Sequence, residues 1–144
     1  MAELHPQLVK DCLVLGRFPL CHLLLMQDAN YPWFILVPDR EGISEIYQLS
    51  DEDQSQILRE SSFLAEFLMK TFNGDKMNIA ALGNMVPQCH LHHVVRYHSD
   101  AAWPAPIWGK LPAKAYSEEA LNDVILKLNE LELMDFDYEK QYQN

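Results

Sequence analysis

A chain of 144 residues that is 49% apolar is long enough to bury a core and too apolar to be disordered. Its net charge of −10 argues against partnership with a nucleic-acid polymer or an anionic membrane, and no apolar run approaches the length of a membrane span. The opening residues MAELHPQLVKD lack a signal-peptide pattern, and three widely spaced cysteines suit reduced thiols, so the expected location is the cytoplasm. The charge is uneven. Residues 117–139 carry eight acids against one Lys and residues 39–60 seven acids against two Arg, whereas residues 61–116 hold five bases and three acids. A slightly basic middle in an acidic chain suits a small anionic ligand, although solvated acidic helix faces account for most of the excess.

In chain order, CLVLGRF (12–18) and CHLLLMQ (21–27) read as two paired strands around Pro19-Leu20. DAN (28–30) is a turn cluster, and WFILV (33–37) is a third strand stopped by Pro38. SDED (50–53) is a capping box opening a long helix to about Thr71, with Ile57, Leu58, Ala65, Leu68 and Met69 at helical spacing and Asn73-Gly74 as its stop. MNIAAL (77–82) is a fourth strand, GNMVP (83–87) a loop and CHLHHVVRY (89–97) a fifth strand. AAWPAPIWGKLP has no periodicity. Ser117 caps a last helix with the stripe Leu121, Val124, Ile125, Leu128 and Leu131. The order predicts an α+β fold: one domain spanning 1–144, with a core of about 12–134 and a tail at 135–144. Its expected architecture is a five-stranded antiparallel sheet with two main helices, the longer packed on one face.

Half of the six histidines lie in QCHLHHVVR, Gln88 to Arg96. Alternation along a strand places Gln88, His90, His92, Val94 and Arg96 on one face and Cys89, Leu91, His93, Val95 and Tyr97 on the other. Three readings compete at this point. Two imidazoles spaced two apart could ligate a metal, but no third ligand is close, since Cys89 points away and Gln is a poor ligand. They could be satisfied surface residues. Or one could be a nucleophile towards phosphorus, its tautomer fixed by a neighbour.

QCHLHHVVR resembles the motif His-φ-His-φ-His-φ-φ, with φ apolar, of the histidine-triad (HIT) superfamily. DANYPWFILVP is similar to that family's stretch before its first long helix, GNMVP to its short phosphate-facing loop, and the order of elements matches over roughly residues 12–97. With DAAWPAPIWG following, the chain resembles a bacterial branch of small HIT proteins. The resemblance implies a HIT-like fold and a nucleotide-binding hydrolase or transferase. The reaction would cleave at the α-phosphate of a conjugate such as a dinucleoside polyphosphate or a nucleoside phosphoramidate, through a nucleotidyl-histidine. It implies His90 as nucleophile, His92 at the phosphate, Asn84 in the phosphate loop, and Asp28 or else Asn30 at the ribose. It also implies a homodimer, and no cofactor or metal is required. Gln88 replaces the first histidine of the motif, where an amide can hold an orientation but cannot carry a proton. That departure gives weight to a binding module with little catalysis, and a metal-binding structural protein is the other rival.

Further expectations are weaker in sequence. His93 should face the core and need a hydrogen-bond partner there. Arg96 is either a phosphate contact or a solvated strand end. Trp103 and Trp108 read as packing anchors, Cys89 as an inert buried thiol, and Leu13 and Phe18 as walls for a base.

Overall fold

The computed structural model describes residues 2–139, the side chains of 132–134 excepted. Its first element has no apolar period to announce it. Pro6 fits the first turn of a short helix, α1 (Pro6–Asp11), and the His5 ring caps it, Nδ1 accepting from the Gln7 N–H at 3.1 Å. Strands β1 (Cys12–Arg17), β2 (Cys21–Met26) and β3 (Trp33–Pro38) follow as an antiparallel meander. A single 3-10 turn (Ile46–Gln48) leads to α2 (Asp51–Thr71), where Ser50 Oγ accepts from the Asp53 N–H; the return half of the expected capping box is not made, because the Asp53 carboxylate pairs with Arg40. Asn73 takes the left-handed conformation that ends α2. Next come β4 (Lys76–Ala80), β5 (Leu91–Arg96) and α3 (Glu118–Lys127), which is capped by Ser117 as expected.

The sheet is antiparallel throughout, in the order β4-β5-β3-β2-β1-β6. It has six strands where five are expected. The sixth, β6 (Asp137–Tyr138), pairs with Gly16 and Arg17. Two residues carry no readable alternation, and what admits them is Gly16: a Cβ there would lie 2.1 Å from the Asp137 carbonyl oxygen. Part of the tail is therefore docked, with Phe136 buried against Phe18 at 4.8 Å between ring centroids. The rest of the tail, 140–144, lies outside the described residues. Gly16→Ala is expected to displace β6 and to cost about 1–3 kcal/mol in urea unfolding.

The two sheet faces are both closed. Phe34, Leu36, Leu91 and Val95 meet Ile57, Leu64 and Leu68 of α2, with Val124, Leu128 and Leu131 at and beyond α3. Glu60, fully buried on α2, accepts the Leu20 and Cys21 N–H groups and so ties the β1–β2 hairpin to the helix. Across the sheet, Leu8 of α1 covers Leu24, Ile35 and Val37, while Ala102 and Ile107 cover Val94. The proline-rich stretch is thus a lid on the second face, and every residue of β5 is buried. No helix among the described residues is long and apolar enough to cross a membrane.

Candidate active site

Ladder pairing of β5 starts at Leu91, so Gln88, Cys89 and His90 form an irregular lead-in to the strand instead of its first residues. Alternation holds beyond that point. Leu91 and Val95 join the core under α2, and His93, on the same face, reaches Ser61 of α2. The expected partner for His93 is therefore a hydroxyl: its Nδ1–H donates to the Leu91 carbonyl at 3.1 Å and its Nε2 accepts from Ser61 Oγ at 2.7 Å. The carbonyl can only accept, which fixes the tautomer. A serine within the apolar stripe of α2 was the available signal for that pairing.

His92 is equally constrained. Its Nδ1 accepts from the Trp33 indole N–H at 3.0 Å, so a neutral ring carries its proton on Nε2. Trp108 packs edge-on against the same ring at 5.2 Å and against Trp33 at 6.1 Å. Burial pushes the His92 and His93 imidazoles down to about 4, and a charge on His90 would depress His92 further. Unfolded imidazoles titrate near 6.5, so between that pH and about 4 the unfolded chain takes up protons that the folded chain refuses. Stability therefore falls with pH across that window and is level above it. The urea midpoint should drop accordingly, each ring contributing on the order of 3 kcal/mol by pH 4, and His93→Gln should remove one of the two contributions.

His90 differs from both. It is 6% exposed, and its Nδ1–H donates to the backbone carbonyl of Gln88 at 2.6 Å. That acceptor leaves the lone pair on Nε2, which has no hydrogen-bond partner among the described residues. The ring lies 4.9 Å from that of His92, edge to face. His90 lines a cavity of about 470 Å³ with Ser44, Glu45, Ile46, Tyr47, Gly83, Asn84 and Gln88. Gly83 and Asn84 belong to a loop whose main-chain N–H groups lie outside the sheet ladder, and both residues line this cavity. A site built this way can present an imidazole nitrogen to an electrophile beside backbone donors.

The candidates named from sequence separate into two groups. Gln88, His90 and Asn84 line one cavity, and the His92 ring lies edge to face with that of His90. Asp28, Asn30 and Arg96 do not come to it. In the β3–β5 register Trp33 faces Val94 and Leu36 faces Leu91, so His90 lies at the far end of the sheet from the 28–30 turn. Asp28 Oδ1 accepts from the Asn30 N–H, the Asn30 amide and the Lys114 N–H, and Asn30 also donates to the Pro112 carbonyl at 3.0 Å. This is a staple for residues 112–114. Arg96 is 1% exposed, with its guanidinium on both Asp100 oxygens, the Asn78 side chain and the Ala105 carbonyl. Where a phosphate contact or a solvated strand end is expected, Arg96 forms a buried knot.

The Gln88 amide also departs from expectation. Its Oε1 accepts from the His5 N–H at 2.8 Å and its Nε2 donates to the Glu3 carbonyl at 3.1 Å, so it faces the segment ahead of α1 and not the His90 ring. Phe18 is a core residue and Leu13 packs against that core, which removes both as walls for a base; the apolar lining of the cavity comes from Ile46 and Tyr47. Trp103 and Trp108 act as anchors, Trp103 against His98 and over the Arg96 guanidinium. Cys89 is buried and burial raises its thiol pKa, as expected of an inert thiol. Among the described residues no three His, Cys, Asp or Glu side chains gather as a metal-ligand set.

Comparison with known proteins agrees with this geometry. The HIT domain family matches residues 7–99. The chain is similar to the crystal structure of a histidine triad protein from Marinobacter aquaeolei VT8, with 54% identity and a TM-score of 0.90 over 93% of this chain and 98% of that one. A histidine triad protein from Bradyrhizobium japonicum is 41% identical with a TM-score of 0.86, covering 88% of this chain and 94% of that one. A HIT protein from Sinorhizobium meliloti 1021 is 36% identical with a TM-score of 0.85, covering 88% and 93%. No curated protein matches the chain significantly. With the family matching well over half the chain and its motif carried on the lead-in to β5, the chain belongs to the HIT family.

Proposed function

We propose that the chain is a nucleotide-binding hydrolase or transferase that cleaves at the α-phosphate of a nucleotide conjugate, either a nucleoside phosphoramidate or a dinucleoside polyphosphate. The observation that carries this reading is the 2.6 Å bond from His90 Nδ1 to the Gln88 carbonyl, which leaves Nε2 unpartnered on a residue lining the cavity. His90 Nε2 attacks the phosphorus, and the bond to the leaving nitrogen or oxygen breaks with its electron pair. Water then cleaves the phosphorus–nitrogen bond of the nucleotidyl-histidine and frees the ring. Charge developing on the phosphoryl oxygens is met by N–H groups of the 83–86 loop and by Asn84. The base packs against Ile46 and Tyr47. Each step uses the chain's own groups and water, with no cofactor or divalent ion. His92, its Nδ1 committed to the Trp33 indole, steadies the His90 ring edge to face.

A second copy of the chain is the proposed partner, supported by exposed Ile79, Leu82 and Met85 on and just beyond β4, an edge strand of the sheet.

One feature favours the rival reading of a binding module. The Gln88 amide is engaged elsewhere and His92 is held neutral, so neither stands ready to protonate a leaving group. Calorimetric binding of AMP beside turnover of adenosine 5′-phosphoramidate and of a dinucleoside tetraphosphate separates the two. An enzyme turns over at least one conjugate well above the buffer rate. A protein that binds AMP and turns over neither is a binding module.

A further inference from the structure

The peptide unit between Gln88 and Cys89 belongs to no strand or helix. Its carbonyl takes the His90 Nδ1 proton, and its N–H donates to the Ile43 carbonyl at 2.9 Å. The other anchor of Gln88 is its own side chain, bonded to the main chain of His5 and Glu3 across 83 and 85 residues of sequence. The segment Ala2–His5 is in turn fixed at both ends. The Ala2 N–H donates to Asp39 at 2.7 Å, a buried carboxylate that also pairs with Arg17, and His5 caps α1, whose Leu8 is in the core. A second cavity of about 380 Å³ lies between this segment and residues 40–44, sharing Ser44, Pro87 and Gln88 with the cavity at His90.

We propose that the segment Ala2–His5 is a positioning element for His90, acting through the amide of Gln88 and then through the Gln88 carbonyl. The proposal rests on the reading of His90 as nucleophile. In it, Gln88 is not a weakened relay histidine. It is a strap anchor, and its main chain does what the tautomer of His90 needs. The amide suits this task because one planar group offers an acceptor to the His5 N–H and a donor to the Glu3 carbonyl. An imidazole at 88 gives up that fork, so Gln88→His should slow the reaction. A missing proton relay would make the same substitution faster.

The test compares wild type with Gln88→Ala, Gln88→His and His5→Pro, the last deleting only the N–H that Gln88 accepts and the ring that caps α1. Nucleotidyl-protein formation is followed in single turnovers with adenosine 5′-phosphoramidate, and AMP affinity is measured in parallel. The His90 ring is followed by proton–nitrogen NMR. All three variants should form the adduct about 10- to 100-fold more slowly, the cost of a displaced reacting group, with AMP affinity within about threefold of wild type. Their His90 Nδ1–H signal should be lost to exchange. Gln88→Glu keeps the acceptor and loses the donor, and should fall between wild type and Gln88→Ala, which covers the case of a variant that does not fold. Adduct rates within about twofold of wild type, a retained Nδ1–H signal, or a faster Gln88→His would each overturn the proposal. If wild type itself forms no adduct, the nucleophile reading fails, and the ring signal alone then decides whether the strap orients His90.

Discussion

His90→Ala should lower turnover of adenosine 5′-phosphoramidate by roughly a thousandfold or more while AMP affinity stays within a factor of a few. The size follows from there being no deputy. His93 faces α2 on the other side of the sheet, bonded to Ser61 and to the Leu91 carbonyl. His92 is adjacent, yet its Nδ1 is occupied by the Trp33 indole N–H, and in the neutral ring its Nε2 carries the proton. Releasing Nδ1 of His92 leaves the Trp33 indole N–H unpaired, at a cost of about 1–3 kcal/mol before any chemistry begins. Binding is spared because the walls at Ile46, Tyr47 and Asn84 are unchanged. His90→Gly supplies a complementary arm: free imidazole should diffuse into the vacated space and recover part of the rate, measured as imidazole-dependent release of AMP. A His90→Ala protein that keeps wild-type turnover would end the nucleophile reading.

Arg96→Ala should be the most damaging substitution to the fold, costing about 3–5 kcal/mol in urea unfolding. The guanidinium and the Asp100 carboxylate are both buried and joined by two hydrogen bonds near 2.9–3.0 Å. Asp100 also accepts from the N–H groups of Tyr97, Ala102 and Trp103, so it is the hub of the turn that starts the proline-rich lid. Burial alone would raise the Asp100 carboxyl; the bonds from Arg96 and from the main chain outweigh it and hold the group below its ordinary value. Removing Arg96 strands that charge and also frees Asn78 of β4 and the Ala105 carbonyl. Arg96→Lys should rescue little, since an ammonium cannot serve both carboxylate oxygens, Asn78 and Ala105 in one plane. Turnover should fall as well, although Arg96 does not line the His90 cavity, because the same lid carries Trp108 onto His92.

Local chemistry was legible in the sequence and long-range commitments were not. Ser50 and Asp53 announce α2, Ser117 announces α3, and the two-residue period of β5 sends His93 to the core and keeps it apart from His92. His90 and Asn84, both named from the sequence, line one cavity. What failed to show is what a side chain does with a partner far along the chain. Nothing near Gln88 indicates that its amide serves His5 and Glu3. Nothing near Asp28 and Asn30 indicates that they hold residues 112–114, a task that a Pro-rich stretch needs because it cannot form its own ladder. Arg96 had its partner four residues away in Asp100, but that spacing is a signal in helices and not at a strand end. The lid itself, with no period, hides the fact that both sheet faces are covered, so the reading of these histidines as surface residues gives way to a buried face.

The measurement to make is acid-quenched or rapidly frozen single turnover with adenosine 5′-phosphoramidate, followed by intact-mass detection and peptide mapping under conditions that preserve phosphorus–nitrogen bonds. A histidine nucleophile held by the Gln88 carbonyl predicts one transient adenylyl group per chain, mapped to His90, rising before AMP is released and decaying as it appears. AMP release without any adduct at early times, or an adduct mapped to His92 or His93, would contradict it.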